Sequence, residues 1–354
     1  MRPSSEFVDA SGMERFWPEW DGLLERAHHP DPLRRSSWLR VWLELVGVDA
    51  NPIVVGVRRG GELVAGAVLV ASRRRGLRVL RQIGDSGDLA QPEFPSVDGA
   101  ARAALSHALR GLRGDLLVLE GLDDAGVTVR GFRHAGLTVR LEDTQVRRRL
   151  VMADRQKRLR ERGKRVRKLI RILGRAERES STFVSSEPSE VVARLPALLD
   201  FQAEHWDGDP SANQLAGPGV RRLFSERALV ALAREGRLWN AEFIVDGRLA
   251  AFQLVAIGER SALLYNSAYD RSDRQLSGAG WASMLAAADA VAEAGIPQLD
   301  TGPGDLDYKR AFSEPILSST AYVPISPLGH AAMRLRDIRT LVRGHGRSAD
   351  ALRS

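Results

Sequence analysis

The chain has 354 residues, 52 of them basic and 45 acidic, for a net charge of +7, and 44% of it is apolar. That length holds two domains of ordinary size, each with its own core. The absence of cysteine excludes a Cys nucleophile, a thiolate metal centre and a disulfide framework. Residues 155–178 hold nine Arg and three Lys against two Glu, a local +10. Residues 331–354 hold six Arg against two Asp, a local +4, so the remaining body is mildly acidic. Residues 1–30 lack the apolar core of a signal peptide, and the longest apolar run, residues 63–71, is too short to cross a bilayer. The expectation is a cytoplasmic protein, or one held peripherally at the inner membrane face, with no metal.

In chain order, residues 16–47 carry Trp17, Trp20, Leu23 and Leu24, then Trp38, Val41, Trp42 and Leu45, at helical spacing. Pro30 and Pro32 divide them into two helices, and the aromatic stripe is read as core. Residues 52–57 and 63–71 are strands around a Gly60-Gly61 turn. Arg81-Gln-Ile-Gly84-Asp-Ser-Gly87 follows, where Asp85 and Asp88 would repel a phosphate. Residues 154–179 form a basic amphipathic helix, with Leu159, Val166, Ile170 and Leu173 at helical spacing and Leu169 beside them. Three uses of it stay open: a linker helix packed on the body, contact with an anionic membrane, or contact with nucleic-acid phosphates. It has no aromatic residues for stacking bases, which argues against the last.

The second half repeats this plan. Gly247-Arg-Leu-Ala-Ala-Phe stands as Gly61-Glu-Leu-Val-Ala-Gly does, and helices over residues 195–206 and 220–234 take the places of the two Trp-rich ones. Residues 262–266 read as a strand, 281–294 as a helix ended by Gly295, and 296–301 as a second strand. Between strand and helix lies Gln275-Leu276-Ser277-Gly278-Ala279-Gly280, with the spacing Q-x-x-G-x-G. A glycine turn opening a helix is a ready phosphate site, because backbone N–H groups point outward at the positive end of the helix dipole. Missing side chains at Gly278 and Gly280 let a pyrophosphate come close. This layout resembles the coenzyme A site of GNAT acyltransferases.

A second stretch strengthens the resemblance: Gly295-Ile-Pro-Gln-Leu-Asp300-Thr-Gly-Pro-Gly304-Asp-Leu-Asp-Tyr308-Lys309-Arg-Ala-Phe312. Residues 198–315 resemble the acetyltransferase domain of the CelD-like (cellulose-biosynthesis) branch of the GNAT superfamily, related to the Fem-type transferases. The basic helix and residues 217–247 fit that family too, and residues 16–324 resemble it more loosely. The resemblance implies an α/β (α+β) protein, a tandem duplicated GNAT fold with mixed central sheets flanked by helices. Residues 1–145 would be a half without the phosphate turn. Residues 146–180 would be a strand and linker helix, 181–326 the acyltransferase domain and 327–354 a basic tail.

The resemblance also implies acetyl-CoA or another acyl-CoA as co-substrate, bound by residues 275–280. Tyr265 and Asn266 would shape the acyl pocket. Glu204 and His205 would end a helix on the acceptor side, with His205 a candidate base. Asp300 would take a proton from the acceptor or fix it, Lys309 would offset negative charge and Tyr308 would protonate the leaving thiolate. The expected reaction is acyl transfer to an amine or hydroxyl of a small-molecule or saccharide acceptor, in the setting of surface polysaccharide. The alternatives are a Fem-like aminoacyl-tRNA-dependent transferase and a non-catalytic membrane-surface module. The second half lacks the long helical insertion of the tRNA users.

Overall fold

A computed structural model of the chain describes residues 4–8, 12–47, 52–84, 93–205, 220–304 and 307–334. The residues fall into two compact units, one within 1–146 and 316–350 and the other within 147–315.

The first unit runs β1 (Ser4–Val8), α1 (Met13–Arg26), α2 (Ser36–Leu45), β2 (Pro52–Arg59), β3 (Glu62–Arg74), β4 (Leu77–Gln82), α3 (Gly99–Arg110), β5 (Leu116–Asp123) and α4 (Val127–His134). The aromatic stripe is core: Phe16, Trp17, Trp20 and Trp38 are all buried. β6 (Arg140–Val151) crosses into the second unit. That unit continues with α5 (Arg155–Arg175), β7 (Ser180–Ser185), α6 (Pro188–His205), α7 (Val220–Arg234), β8 (Leu238–Val245), β9 (Arg248–Ile257), β10 (Ser261–Tyr269), α8 (Ala279–Glu293), β11 (Gln298–Pro303) and α9 (Asp307–Arg310). β12 (Glu314–Pro324) returns to the first unit and leads into α10 (Pro327–Met333).

The two units share one plan. Strand order is β1-β2-β3-β4-β5-β12 in the first and β7-β8-β9-β10-β11-β6 in the second. Each has a single parallel pair, β4 with β5 and β10 with β11, among antiparallel neighbours. Each has a two-residue hairpin at the matching place. Gly60 and Gly61 (φ +63° and +87°) join β2 to β3, and Asp246 and Gly247 (φ +52° and +72°) join β8 to β9. Left-handed pairs of this kind match the twist of a hairpin. Both hairpins carry a bulge just after the turn, at Val64 of β3 and at Ala250 of β9. The tandem duplication expected from the sequence is therefore present in backbone detail.

One expectation about α5 is corrected. Leu159, Leu169 and Leu173 are its buried residues, whereas Ile170 is 46% exposed. Steps of three and four from Val166 reach both Leu169 and Ile170, and Leu169 is the one that packs on the body. The Leu169 Cδ2 atom lies 3.9 Å from where a Cβ on Gly278 would stand, an ordinary contact distance. Leu276, Ala279 and Ala282 complete the cluster.

Candidate functional site

In the second unit the parallel pairing of β10 and β11 lasts three residues: Ser261 with Gln298, Ala262 with Leu299 and Leu263 with Asp300. Beyond it β10 bulges between Leu264 and Asn266, which takes Tyr265 out of register. β11 has its own irregularity between Asp300 and Pro303. Bulges bend the strand that carries them. The parallel pairing of the two strands thus stops at Leu263 and Asp300.

The helix after β10 starts beyond this point. Gly278 is its N-cap, with φ +111° and no side chain to cap the helix. By position, the N–H groups of Ala279 and Gly280 have no acceptor within α8. Leu276 is buried in the core, Ser277 is exposed, and a Cβ on Gly280 would stand 3.5 Å from the Tyr269 ring. The turn thus opens α8 without a side-chain cap. Gln275 is turned elsewhere: its Oε1 accepts from Arg178 at 3.3 Å. Beside it a cleft of about 370 Å3 is lined by Arg178, Asp246, Arg248, Asp270, Asp273 and Leu276, among others. Three carboxylates against two guanidiniums are the wrong balance for a phosphate.

The first unit offers a contrast at the same topological place. The helix following β4 is α3, and its N-terminus is already filled by a carboxylate. Asp98 accepts from the Ala101 N–H at 2.7 Å and pairs with Arg59 at 2.8 Å. The Arg59 hydrogen bond, then the Ala101 N–H, hold its carboxyl down at about 2. Asp85 and Asp88 lie outside the described residues. Asp98→Ala is expected to cost the first unit about 1 kcal/mol as a lost cap. Urea denaturation at pH 7 checks this, and an unmoved midpoint would contradict it.

α9 comes after the end of β11. Lys309 is 7% exposed. Its carbonyl accepts from the Phe312 and Ser313 N–H groups and from the Ser313 hydroxyl, and Phe312 is buried edge-on against Trp281. Buried at that position, the Lys309 ammonium is poorly hydrated. Burial pushes its pKa down to about 8, against Asp300, which raises it, and with Arg147, which lowers it. Asp300 is buried, accepts from the Gly302 N–H at 2.7 Å and faces Arg147 at 3.3 Å. The structure thus brings Asp300 and Lys309 together. Tyr308 follows in the same turn, and its side chain lies outside the described residues.

The opposite face of the sheet carries α6. Asn266 points there: its Oδ1 accepts from the Ser267 N–H and from Gln202 Nε2. In the same row Asn240 donates to Glu242 at 2.6 Å, and Arg194 of α6 grips Glu242 with two nitrogens. Tyr265 is buried. His205 stacks on Phe201 at 4.0 Å, with Nδ1 at 2.9 Å from the Phe201 carbonyl and Nε2 at 3.4 Å from Asp270. Both ring nitrogens face protein oxygens, so the ring ties α6 to the end of β10. Glu204 is exposed on α6, apart from this row. Sequence reasoning missed Gln202, Asn240, Glu242, Arg194 and Arg147. The one available signal was a polar residue at a core-facing step of an apolar strand.

Among the described residues no group of three or more His, Asp or Glu side chains is placed to hold a metal ion, and no helix is long and apolar enough to cross a membrane. The fold is similar to that of FemX, with a TM-score of 0.60 at 13% identity over 92% of this chain and 99% of that one. It is also similar to the C-terminal domain (DUF2156) of a putative lysylphosphatidylglycerol synthetase from Agrobacterium fabrum. There the TM-score is 0.54 at 13% identity over 94% and 98% of the two chains. No curated protein matches the chain in sequence. Residues 152–310 match the family model described as an acetyltransferase (GNAT) domain. That stretch contains α5, the glycine turn, β10, β11 and Lys309, and over it the chain is similar to the acetyltransferase (GNAT) domain.

Proposed function

We propose that the second unit transfers an acyl group from acyl-CoA to an amine or hydroxyl of a small polar or sugar-like acceptor. The observation that carries this reading is the uncapped, left-handed Gly278 turn at the start of α8, next to the short parallel pairing of β10 with β11. The donor's phosphates would lie on the N–H groups of Ala279 and Gly280, and its thioester would reach the end of the parallel pairing, near Tyr265. The acceptor would come from the α6 face, where Asn266 points.

The acceptor's nitrogen or oxygen attacks the thioester carbonyl; the new C–N or C–O bond forms as the C–S bond breaks, and the acceptor's proton leaves for the thiolate or solvent. Holding the two reactants together supplies much of the rate. Lys309, as an ammonium, stabilises the oxygen that gains negative charge. Asp300, already engaged by Arg147 and the Gly302 N–H, serves to hold Lys309 in place. The sugar-like acceptor rests on the resemblance of residues 295–312 to the CelD-like branch. The test is release of free CoA thiol from acetyl-CoA, with and without amines and alcohols. Acceptor-dependent release is expected, and none with any acceptor would contradict the reading.

A second reading is favoured by one observation on α5. Lys157, Arg160, Lys164, Arg167, Lys168 and Arg171 are all exposed, and helical geometry puts them on the side opposite Leu159, Leu169 and Leu173. Such a ridge fits phosphates, either of an aminoacyl-tRNA donor or of an anionic membrane. Binding of tRNA would weaken steeply with salt and disappear on charge reversal at Arg165, Arg167 and Lys168. A gel shift in low salt checks it, and no shift there eliminates the tRNA-dependent enzyme. Binding to anionic vesicles without any binding of CoA would instead mark a non-catalytic membrane-surface module.

A further inference from the structure

Arg178 lies just past α5, and its N–H returns to the Leu173 carbonyl at 2.9 Å. Its guanidinium makes three contacts. Nε donates to Asp246 at 2.7 Å, and Nη1 donates to Asp273 at 2.5 Å and to Gln275 Oε1 at 3.3 Å. Asp246 opens the β8–β9 turn. Its N–H donates to the Glu179 carbonyl at 2.9 Å, and its carboxylate accepts from the Glu179 N–H at 3.0 Å. One guanidinium thus ties together the end of α5, this hairpin and the segment that enters the glycine turn. The matching hairpin of the first unit turns on Gly60 and Gly61 and offers no carboxylate there. Asp246 instead holds a left-handed backbone, φ +52°, which is unfavourable for a residue with a side chain. The unit whose helix begins on a bare glycine is therefore the one that keeps a carboxylate for Arg178.

The segment that Arg178 holds runs straight into Gly278. Asp273 Oδ1 accepts from the Gln275 N–H at 2.8 Å, the Leu276 N–H donates to the Asp273 carbonyl, and the Ser277 N–H donates to the Arg274 carbonyl. Asp273 thereby caps one tight turn, Arg274–Leu276, that ends at Ser277. Arg178 takes the other carboxylate oxygen, Oδ2, and so fixes the side chain in its capping position. The Arg178 hydrogen bond, then the Gln275 N–H, hold the Asp273 carboxyl below the usual carboxylate range, so the pair is charged at neutral pH. Leu276, packed with Leu169 and Leu173, holds the same turn from the core side. We propose that Arg178 is a positioning residue for the donor: by fixing Asp273 and Gln275 it sets the direction of the Ala279 and Gly280 N–H groups that receive the donor's phosphates. This rests on the acyl-CoA reading of the second unit.

The test is calorimetric titration with acetyl-CoA of the full chain and of Arg178→Met, well below the melting temperature of either. The Arg178 side chain is 26% exposed, so its loss should leave the protein folded. Arg178→Met is expected to bind acetyl-CoA about fivefold or more weakly. Arg178→Lys, which keeps the charge but not the fork, should fall between it and wild type, and it carries the test if the first variant does not fold. The double variant with Gly278→Ala separates positioning from bulk stability. If Arg178 acts through the turn, the two losses are less than additive, because a turn already disturbed at Gly278 has less left to lose. A lower melting temperature with unchanged affinity would make Arg178 a structural ion pair only and overturn the proposal, as would fully additive losses in the double variant. No binding by wild type would instead strike the acyl-CoA reading, and the proposal with it.

Discussion

Gly278→Asp is expected to weaken acetyl-CoA binding by at least about 100-fold, or ~2.8 kcal/mol, while the protein stays folded. Three features of the turn lead there. Gly278 has φ +111°, where an L-residue is strained by roughly 1–2 kcal/mol. Its missing side chain leaves the first N–H groups of α8 facing outward. A carboxylate at this position would also occupy the helix N-terminus itself, as Asp98 does at α3, and repel a phosphate. The same carboxylate would cap α8, and a cap is worth about 1 kcal/mol, which offsets the strain and preserves the fold. Gly278→Ala separates the effects: it carries the strain without the charge, and the nearest atom to its Cβ is Leu169 Cδ2 at 3.9 Å. About tenfold weaker binding is expected for it. Calorimetric titration of both variants decides the matter, and equal loss in the two would mean that backbone shape, not charge, governs the site.

Lys309→Met is expected to lower kcat by about 10²–10³-fold, the usual effect of removing a donor aimed at developing negative charge. Acetyl-CoA affinity should be unchanged, because Lys309 lies at α9 and not at the glycine turn. The sign of the pH effect follows from its lowered pKa. In the folded protein Lys309 titrates at about 8, below its ordinary 10.5. If the ammonium is the active form, kcat/KM for the donor falls above about pH 8, and the fall is absent in Lys309→Met. A rate that rises through pH 8 and keeps that rise in the variant would make Lys309 a bystander. Stability moves the other way. Between about 8 and 10.5 the unfolded chain holds a proton there that the folded chain has released, so the contribution of this site rises with pH across that window. Below it the buried ammonium is a penalty, and Lys309→Met should be at least as stable as wild type at pH 7.

Local pattern carried the strand, turn, helix and strand around Gly278, because each of those elements is set by residues within a few positions of one another. The hairpins at Gly60-Gly61 and Asp246-Gly247 were legible for the same reason: two left-handed positions in a row have few sequence solutions. Asp300 and Lys309 stood out through the resemblance, but their partner did not. Arg147 lies on β6, and only the antiparallel pairing of β6 with β11 brings it to Asp300. The row of Gln202, Asn240, Glu242 and Asn266 was hidden likewise. It depends on register across three strands and on the path of α6, neither of which periodicity encodes. The α5 stripe shows the limit at smaller scale: Leu169 and Ile170 are equally apolar, and tertiary packing on Leu276, Ala279 and Ala282 chooses between them.

The most direct measurement is calorimetric titration of the wild-type chain with acetyl-CoA. Micromolar binding of one molecule per chain is expected, because α8 begins on a bare glycine turn while α3 begins on the Asp98 carboxylate. No heat with acetyl-CoA or with free CoA would contradict the acyl-CoA-dependent enzyme.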